Sequence, residues 1–342
     1  MTAIHNLTTA LEATGRLAPW LFLALFLIGS LLMIWRLEAM GGDGLEGTVL
    51  GTLVMPYCSG AGNLIFAYVL ARRGGDGAGA EVLTNCVVNN VTNMTLLIGA
   101  AAVVWGLSLA GERQKAKGKG QKAGNGEQNS PAQRVNRLSL LLTLTAVFFF
   151  TGLAWVLGRD GKLDATDGLV LIGAFFFWQV FHVFEVLKSN ATGGKNFSWM
   201  LPVDLALLVA GAGAVYVSTD WLVNWVQHGS GFVSARHLGW LSGWLMVLPN
   251  GLLAFYYAWR RRAEIVYASQ VGDGHVCIPF CLGIFALHQT FAVPASFTLG
   301  CEILAGATAV HFLCVVLFGK LPRAVGLGLL VGYGWFCFKG LK

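Results

Sequence analysis

Hydrophobic and polar residues follow one another along this chain in long blocks. Apolar stretches of about 20 residues recur between charged or glycine-rich breaks, and a helix needs about that length to cross the hydrocarbon core of a membrane. Such stretches are too long and too numerous to be core strands. The pattern predicts ten membrane-spanning helices, at roughly 19–35, 49–71, 82–108, 138–157, 168–187, 201–218, 238–259, 265–287, 297–318 and 321–338.

The composition agrees with this pattern. Of the 342 residues, 56% are hydrophobic and 12% are charged, and the mean hydropathy is +0.65. Soluble domains carry roughly a quarter charged residues. We interpret the first apolar stretch as a span and not as a cleaved signal, because Glu12 precedes it and Arg36 follows it without a small-residue cleavage site. The sequence therefore predicts an all-α polytopic protein embedded in a lipid bilayer.

The charge distribution sets the expected orientation. The net charge is +6, but most of the lysines and arginines lie in short loops between apolar blocks, which favours a membrane topology over a nucleic-acid partner. Their bias places both termini outside and the 111–137 loop in the cytoplasm. This loop is rich in Lys, Gly and Gln and is expected to be disordered. We expect a plasma (inner) membrane and not an organelle, and the sequence gives no oligomeric state.

The cysteines indicate no metal centre. The chain has seven, all in or beside apolar blocks, and no pair has the spacing of a zinc knuckle. Cys277 and Cys281 share one helical face, yet buried free thiols explain them better.

An internal repeat relates the two halves. Residues 63–73 and 250–260 both read N-x-x-x-A-x-x-x-A-x-R, at the ends of the second and seventh spans. Each is followed by a polar cluster inside an apolar helix, at 84–93 and 269–275. Two tandem units of five spans must insert with opposite topology. This arrangement predicts a 5+5 inverted repeat with a binding site at the repeat interface near the midplane.

The expected organisation follows from the repeat. Residues 1–110 form the start of the first repeat with spans one to three, and 111–137 form the loop. Residues 138–187 complete it with spans four and five, and 188–342 form the second repeat with spans six to ten. The polar segments fall at 55–99 and 246–284.

The polar residues inside the predicted spans suggest a cation site. Asn85, Asn89 and Asn93 recur every four residues on one helical face, and Gln270 and Asp273 belong to a matching stripe. A central Asp costs about 2.5–3.5 kcal/mol on membrane insertion, so such residues face a bundle interior. Amide and carboxylate oxygens suit a hard cation. The predicted ion-binding residues are Asn63, Asn85, Asn89, Asn93, Asn250, Gln270 and Asp273, with Asp273 and Asn85 as direct ligands of the transported cation.

Two further residues are candidates for a proton path or a gate. They are His275 in the eighth span and Glu302 in the ninth. For the asparagines, hydrogen bonding between helices is the alternative explanation, because polar residues in membrane bundles commonly serve this purpose.

The polar segments resemble the α-repeats of the sodium/calcium exchanger (cation:cation antiporter) superfamily. That family carries an acidic signature in the second helix of each half and a G-N/D-x-x-G-S-N-x-x-N pattern in the third. Asn85, Asn89 and Asn93 keep the family spacing. The resemblance makes 55–99 an α1-like and 246–284 an α2-like segment, and it implies ten spans with outside termini.

The sequence departs from the family where its glutamates should fall. These positions are Asn63 and Asn250, or Tyr57 after Pro56 in a rival register, and none is acidic. Gln270 and His275 also replace family residues. A divalent ion beside one carboxylate would leave positive charge poorly compensated. A monovalent cation and a proton-coupled solute therefore stay open, as does a protein that no longer transports.

The sequence thus predicts a secondary active transporter, a cation exchanger in particular, that works by alternating access. It implies no cofactor, only a transported cation (Na⁺, Ca²⁺ or H⁺). A non-transporting membrane sensor on the same fold is the alternative, as is a transporter of a monovalent cation or other small solute. The H-E-x-x-H, G-x-S-x-G and P-loop motifs are absent, which argues against an enzyme.

Overall fold

The computed structural model describes residues 2–42, 60–75, 77–109, 131–189 and 200–342. Thirteen α-helices account for most of these ranges, and short 3₁₀ turns at 15–17, 158–160 and 235–237 adjoin them. The helices are α1 Thr2–Glu12, α2 Ala18–Gly42, α3 Ala61–Arg73, α4 Ala78–Val91, α5 Ile98–Trp105, α6 Pro131–Leu157, α7 Ala165–Ser189, α8 Leu201–Gln227, α9 Leu238–Trp259, α10 Ala263–Val276, α11 Leu282–His288, α12 Ser296–Phe318 and α13 Arg323–Gly340.

Within the residues that the structure describes, seven helical segments are long and apolar enough to cross a membrane. They are Gly15–Arg36, Ala78–Trp105, Arg137–Asp160, Pro202–Gln227, Ala235–Trp259, Ala263–His288 and Ser296–Phe318. Each matches one of the ten predicted spans, so the prediction of a polytopic helical membrane protein is confirmed. The second predicted span is described only over Ala61–Arg73, the fifth has an apolar stretch of Ala165–Phe181, and the tenth corresponds to α13. These three spans stay predictions.

The end of the expected loop at 111–137 overlaps a helix. Helix α6 begins at Pro131, because proline fits the first helical turn, where its missing N–H group is not needed. Residues 111–130 lie outside the described ranges.

The third and eighth spans form the centre of the bundle. In an apolar 18-residue stretch of each of the two segments, Ala78–Trp105 and Ala263–His288, 78% of the residues are buried, against 33% in the corresponding stretches of the first and sixth spans. Each central span is interrupted by a π-helical segment, Thr92–Leu97 between α4 and α5 and Cys277–Cys281 between α10 and α11. Such segments shift the hydrogen-bond register and are frequent at functional sites.

Two small strand pairs connect the ends of helices from opposite halves. Strand β1 (Leu107–Ser108) follows α5 and pairs antiparallel with β4 (Lys320–Leu321), which precedes α13. Strand β2 (Lys162–Leu163) precedes α7 and pairs with β3 (Phe291–Ala292), which follows α11. In both pairs the apposed residues nearer the bundle are buried.

Glycines allow three close helix crossings. A Cβ atom at Gly326 would lie 2.9 Å from the carbonyl oxygen of Gly99, so α5 and α13 touch backbone to backbone. The same holds for α7 and α11, where a Cβ atom at Gly168 would lie 2.7 Å from the Gly283 oxygen, and for α2 and α8 at Gly29 and Gly211. Small residues permit such approach in membrane bundles.

Candidate cation site

Asp273 lies at the centre of a buried polar cluster. It is fully buried on α10, and its Oδ2 atom accepts hydrogen bonds from Asn93 Nδ2 at 3.0 Å and Asn250 Nδ2 at 2.9 Å. Asn93 belongs to the π segment of the third span and Asn250 follows Pro249 inside α9. The carboxylate therefore joins the third, seventh and eighth spans, as the two polar stripes predict.

The amides continue the cluster along the third span. Asn93 Nδ2 also donates to Asn89 Oδ1 at 2.9 Å, and Asn89 Nδ2 lies 3.7 Å from the Cys277 sulfur. One turn further, Asn85 Nδ2 donates to Ser242 Oγ of α9 at 3.0 Å. The spacing of four residues keeps the three asparagines on one face, toward α9 and α10.

Buried amide oxygens around this cluster have no hydrogen-bond donor. A carboxylate can only accept, so the amides that face Asp273 present their NH₂ groups and turn their oxygens elsewhere. Within the described ranges, four buried side-chain amide oxygens lack a partner: Asn63 Oδ1, Asn85 Oδ1, Asn93 Oδ1 and Gln270 Oε1. An unsatisfied buried acceptor costs about 1–3 kcal/mol. A hard cation bound by these oxygens would remove that cost.

Gln270 supports the backbone of the seventh span. Its Nε2 atom donates to the Asn250 carbonyl at 3.2 Å and to Ser269 Oγ at 2.9 Å. Gln270 and Asp273 thus both hold Asn250, one through its backbone and one through its side chain.

Asn63 is buried, with an exposed fraction of 1%, but the structure does not join it to the cluster by a hydrogen bond. It lies on α3 next to Gly62, over which Met246 of α9 packs. The rival position for a missing family glutamate, Tyr57, lies outside the described residues.

The two gating candidates lie away from Asp273. His275 Nε2 contacts the Thr143 carbonyl of α6 at 3.0 Å, and its ring packs against Phe150 and Trp178. Two residues correspond to about 200° around a helix, so His275 and Asp273 project to opposite sides of α10. Glu302 is exposed on α12.

Two contributors are not among the predicted site residues. Ser242 is the hydrogen-bond partner of Asn85, and it lies eight residues before Asn250 on the same face of α9. His311 of α12 is fully buried, with Nε2 2.8 Å from the Met94 carbonyl and Nδ1 3.3 Å from the Tyr267 hydroxyl. Since a carbonyl only accepts, Nε2 carries the proton, and His311 fixes the backbone next to Asn93.

A narrow crevice reaches Asn250 from between α2, α3, α8 and α9. Its lining is apolar except for Ser30 and Asn250, and it comprises Phe26, Ser30, Met33, Ile34, Ala61, Gly62, Val215, Met246, Pro249 and Asn250. In the described part of the chain, no three His, Cys, Asp or Glu side chains converge as metal ligands. The six cysteines described there are free thiols, in agreement with the sequence prediction.

These features define a polytopic helical membrane protein with a buried polar centre. The sequence model of the family described as sodium/calcium exchanger protein matches residues 17–184. Nearly half of the chain, residues 17–184, is thus similar to the sodium/calcium exchanger family, and the resemblance carried by Asn85, Asn89 and Asn93 is confirmed. Members of this family are cation transporters and not enzymes, and they need no cofactor.

Solved structures share this fold. The sodium-calcium exchanger NCX_Mj, soaked with 2.5 mM Na⁺ and 0.1 mM Ca²⁺, is 19% identical with a TM-score of 0.63, over 94% of this chain and 97% of that chain. The same exchanger soaked without Na⁺ and Ca²⁺ is 18% identical with a TM-score of 0.62, at the same coverage. Among curated proteins, no sequence matches this chain.

Proposed function

We propose that this protein is a secondary active cation exchanger that works by alternating access, with its ion site between the two halves of the chain. The observation that carries the proposal is the buried cluster around Asp273. Its carboxylate comes from the second half and Asn93 from the first, and buried amide oxygens of the same helices, Asn85 Oδ1, Asn93 Oδ1 and Gln270 Oε1, lack a donor. The proposed ion-binding residues are Asn85, Asn89, Asn93, Asn250, Gln270 and Asp273, with Asn63 as an outer member.

An inverted 5+5 repeat is part of the proposal, and the strand pairs support it. If the third span is equivalent to the eighth and the fifth to the tenth, then β1 is equivalent to β3 and β4 to β2. The β1–β4 pair and the β2–β3 pair are then the same feature of the two repeats. The same equivalence relates the crossing of Gly99 and Gly326 to that of Gly283 and Gly168. The first and sixth spans cross each other at Gly29 and Gly211, which is consistent with a twofold relation that exchanges these two spans.

The repeat also refines the register of the site. The repeat makes Leu107 equivalent to Phe291. The same offset in residue number makes Gly99 equivalent to Gly283, Asn89 to Asp273 and Asn93 to Cys277. Asn85 then corresponds to Ser269, one residue from the predicted Gln270. Under this register the acid of the second half replaces an amide of the first.

A ten-span topology agrees with these pairings. If every predicted span crosses the membrane, β1 and β4 lie at one face and β2 and β3 at the other. With both termini outside, the face of β1 and β4 is cytoplasmic, together with the loop that precedes α6. A plasma membrane remains our proposed location.

Alternating access requires a path to the site. The crevice between α2, α3, α8 and α9 ends at Asn250. Movement of the first and sixth spans relative to the central helices would open or close it. The pairing of Arg73 on α3 with Asp220 on α8, at 2.9 Å, is one contact such a movement must break or carry along.

Flux measurements test the proposal. Purified protein in proteoliposomes should exchange an internal cation for an external one, with uptake that depends on the counter-cation gradient. Asp273→Asn should abolish this exchange, whereas Glu264→Gln, a charge removed from the exposed start of the same helix, should not. Cation binding without flux would instead identify a membrane binding protein, and no binding would remove the cation function.

A further inference from the structure

We infer that the site takes one monovalent metal cation, such as Na⁺, at a time and does not take Ca²⁺. This inference rests on the proposed exchange function and concerns its substrate class. It follows from the number of negative charges that the central helices can offer to an ion, and from what each acidic group already contacts.

The four spans that form the cluster contain few acids. Between Gly47 and Gly75, which includes the whole second span, the sequence has no Asp or Glu. The seventh span, Leu238–Trp259, has none either. The third span has Glu81, and the eighth has Glu264 and Asp273.

Two of these three acids are engaged at helix ends. Glu81 accepts a hydrogen bond from the backbone N–H of Gly239, at the start of α9, where a carboxylate is favoured by the helix dipole. Glu264 pairs with Arg262 at 3.3 Å, with both side chains substantially exposed. Asp273 alone brings a negative charge to the amide cluster.

The nearby histidines are hydrogen-bonded to backbone carbonyls on other sides of the central helices. His275 binds the Thr143 carbonyl on the opposite side of α10, and His311 binds the Met94 carbonyl behind the third span. The remaining groups at the cluster are amides, a serine and a thiol, all neutral. The site therefore carries a single negative charge, from the Asp273 carboxylate.

One monovalent cation neutralises this charge, whereas a divalent cation would leave an uncompensated positive charge in a low-dielectric interior. The Asp273 carboxylate also attracts a cation less strongly than a carboxylate without hydrogen-bond donors would. Two amide N–H groups already donate to Asp273 Oδ2, which offsets part of its charge before any ion arrives. Ca²⁺ favours six to eight oxygens with several carboxylates. Neutral amide oxygens with one carboxylate suit a monovalent cation better.

The experiment compares Na⁺ and Ca²⁺ on the full-length protein. Thermal unfolding and equilibrium binding are measured in detergent with choline chloride holding the ionic strength constant, and flux is measured in proteoliposomes. We expect saturable one-site Na⁺ binding, electroneutral exchange with another monovalent cation, and no competition from millimolar Ca²⁺. This comparison uses the wild type and does not depend on a variant folding.

Asn89→Asp provides a matched gain of charge. The side chains have the same shape, and the new carboxylate can still accept the bond from Asn93 Nδ2. Only the 3.7 Å contact with the Cys277 sulfur is lost. The variant should bind Ca²⁺ at least about tenfold more tightly than the wild type.

The outcomes separate the two proposals. Ca²⁺ flux in the wild type that Asp273→Asn abolishes would retain the exchanger and overturn the monovalent inference. A well-folded Asn89→Asp protein that binds Na⁺ but gains no Ca²⁺ affinity would also overturn it. Failure of every cation to bind or move would overturn the exchange function and this inference together.

Discussion

Asn93 and Asp273 come from opposite halves of the chain and share a buried hydrogen bond of 3.0 Å, from Asn93 Nδ2 to Asp273 Oδ2. This bond holds the two central spans together within the π segment of the third span and one turn before the π segment of the eighth. Asp273 thus connects the two central helices and is also the proposed ligand of the cation. The predictions below are chosen to separate these roles.

Replacing Asp273 by Asn should abolish cation exchange while leaving folding largely intact. An Asn oxygen can still accept from Asn93 and Asn250, so the geometry is retained, and removing a buried charge is often neutral or stabilising. Flux in proteoliposomes and thermal unfolding without added ions check this, with Glu264→Gln as control. Unchanged flux in Asp273→Asn would remove this carboxylate from the mechanism.

The close crossing of α7 and α11 should not tolerate a methyl group. Gly168→Ala places Cβ 2.7 Å from the Gly283 carbonyl oxygen, and backbone on both sides leaves no flexible atom to move. Overpacking of this kind costs about 1–3 kcal/mol. Gly173→Ala on the same helix meets nothing within 4 Å and should not destabilise. Equal unfolding midpoints for the two variants would contradict the crossing.

His311 should position the cation site without touching the ion. His311→Leu leaves the Met94 carbonyl without its donor, at a cost of about 1–3 kcal/mol, and loosens the backbone beside Asn93. We expect lower thermal stability together with weaker Na⁺ binding. His311→Gln, whose amide can reach the same carbonyl, should recover part of both. A loss of stability with unchanged ion affinity would limit His311 to a structural role.

The sequence predicts the central cluster because helical periodicity and burial cost act together. Asn85, Asn89 and Asn93 recur at a spacing that must place them on one face, and a carboxylate such as Asp273 must point inward. The structure brings Asn89, Asn93, Asn250 and Asp273 together by hydrogen bonds. Their role as ion ligands stays a prediction.

The remainder depends on interactions between helices, which one sequence does not specify. Helical periodicity alone already predicts that His275 points away from Asp273, because residues two positions apart lie on opposite sides of a helix. The partners of Asn85 and Met94 lie on α9 and α12 and become visible only once the helices pack. For the π segment at Cys277–Cys281, the sequence signal is Pro279, because proline has no backbone N–H group to donate and so disturbs the regular helical hydrogen bonds.

The strand pairs give a direct test of the inverted repeat. Ser108 and Lys162 are exposed next to buried strand residues, Ser108 on β1 and Lys162 on β2. If ten spans cross the membrane with both termini outside, Ser108 faces the cytoplasm and Lys162 the exterior. A membrane-impermeant thiol reagent applied to intact cells should therefore modify Lys162→Cys and not Ser108→Cys. Inside-out vesicles should show the reverse.

The control for this labelling is the wild type, because the cysteines described in it are buried or partly buried. Exchange activity should be retained in both variants, since the two positions lie at the ends of helices and away from Asp273. Labelling of both cysteines from one side would contradict the assignment of β1–β4 and β2–β3 to opposite faces, and with it the 5+5 arrangement. Labelling from opposite sides but in the reverse sense would keep the repeat and invert the orientation derived from the basic loops.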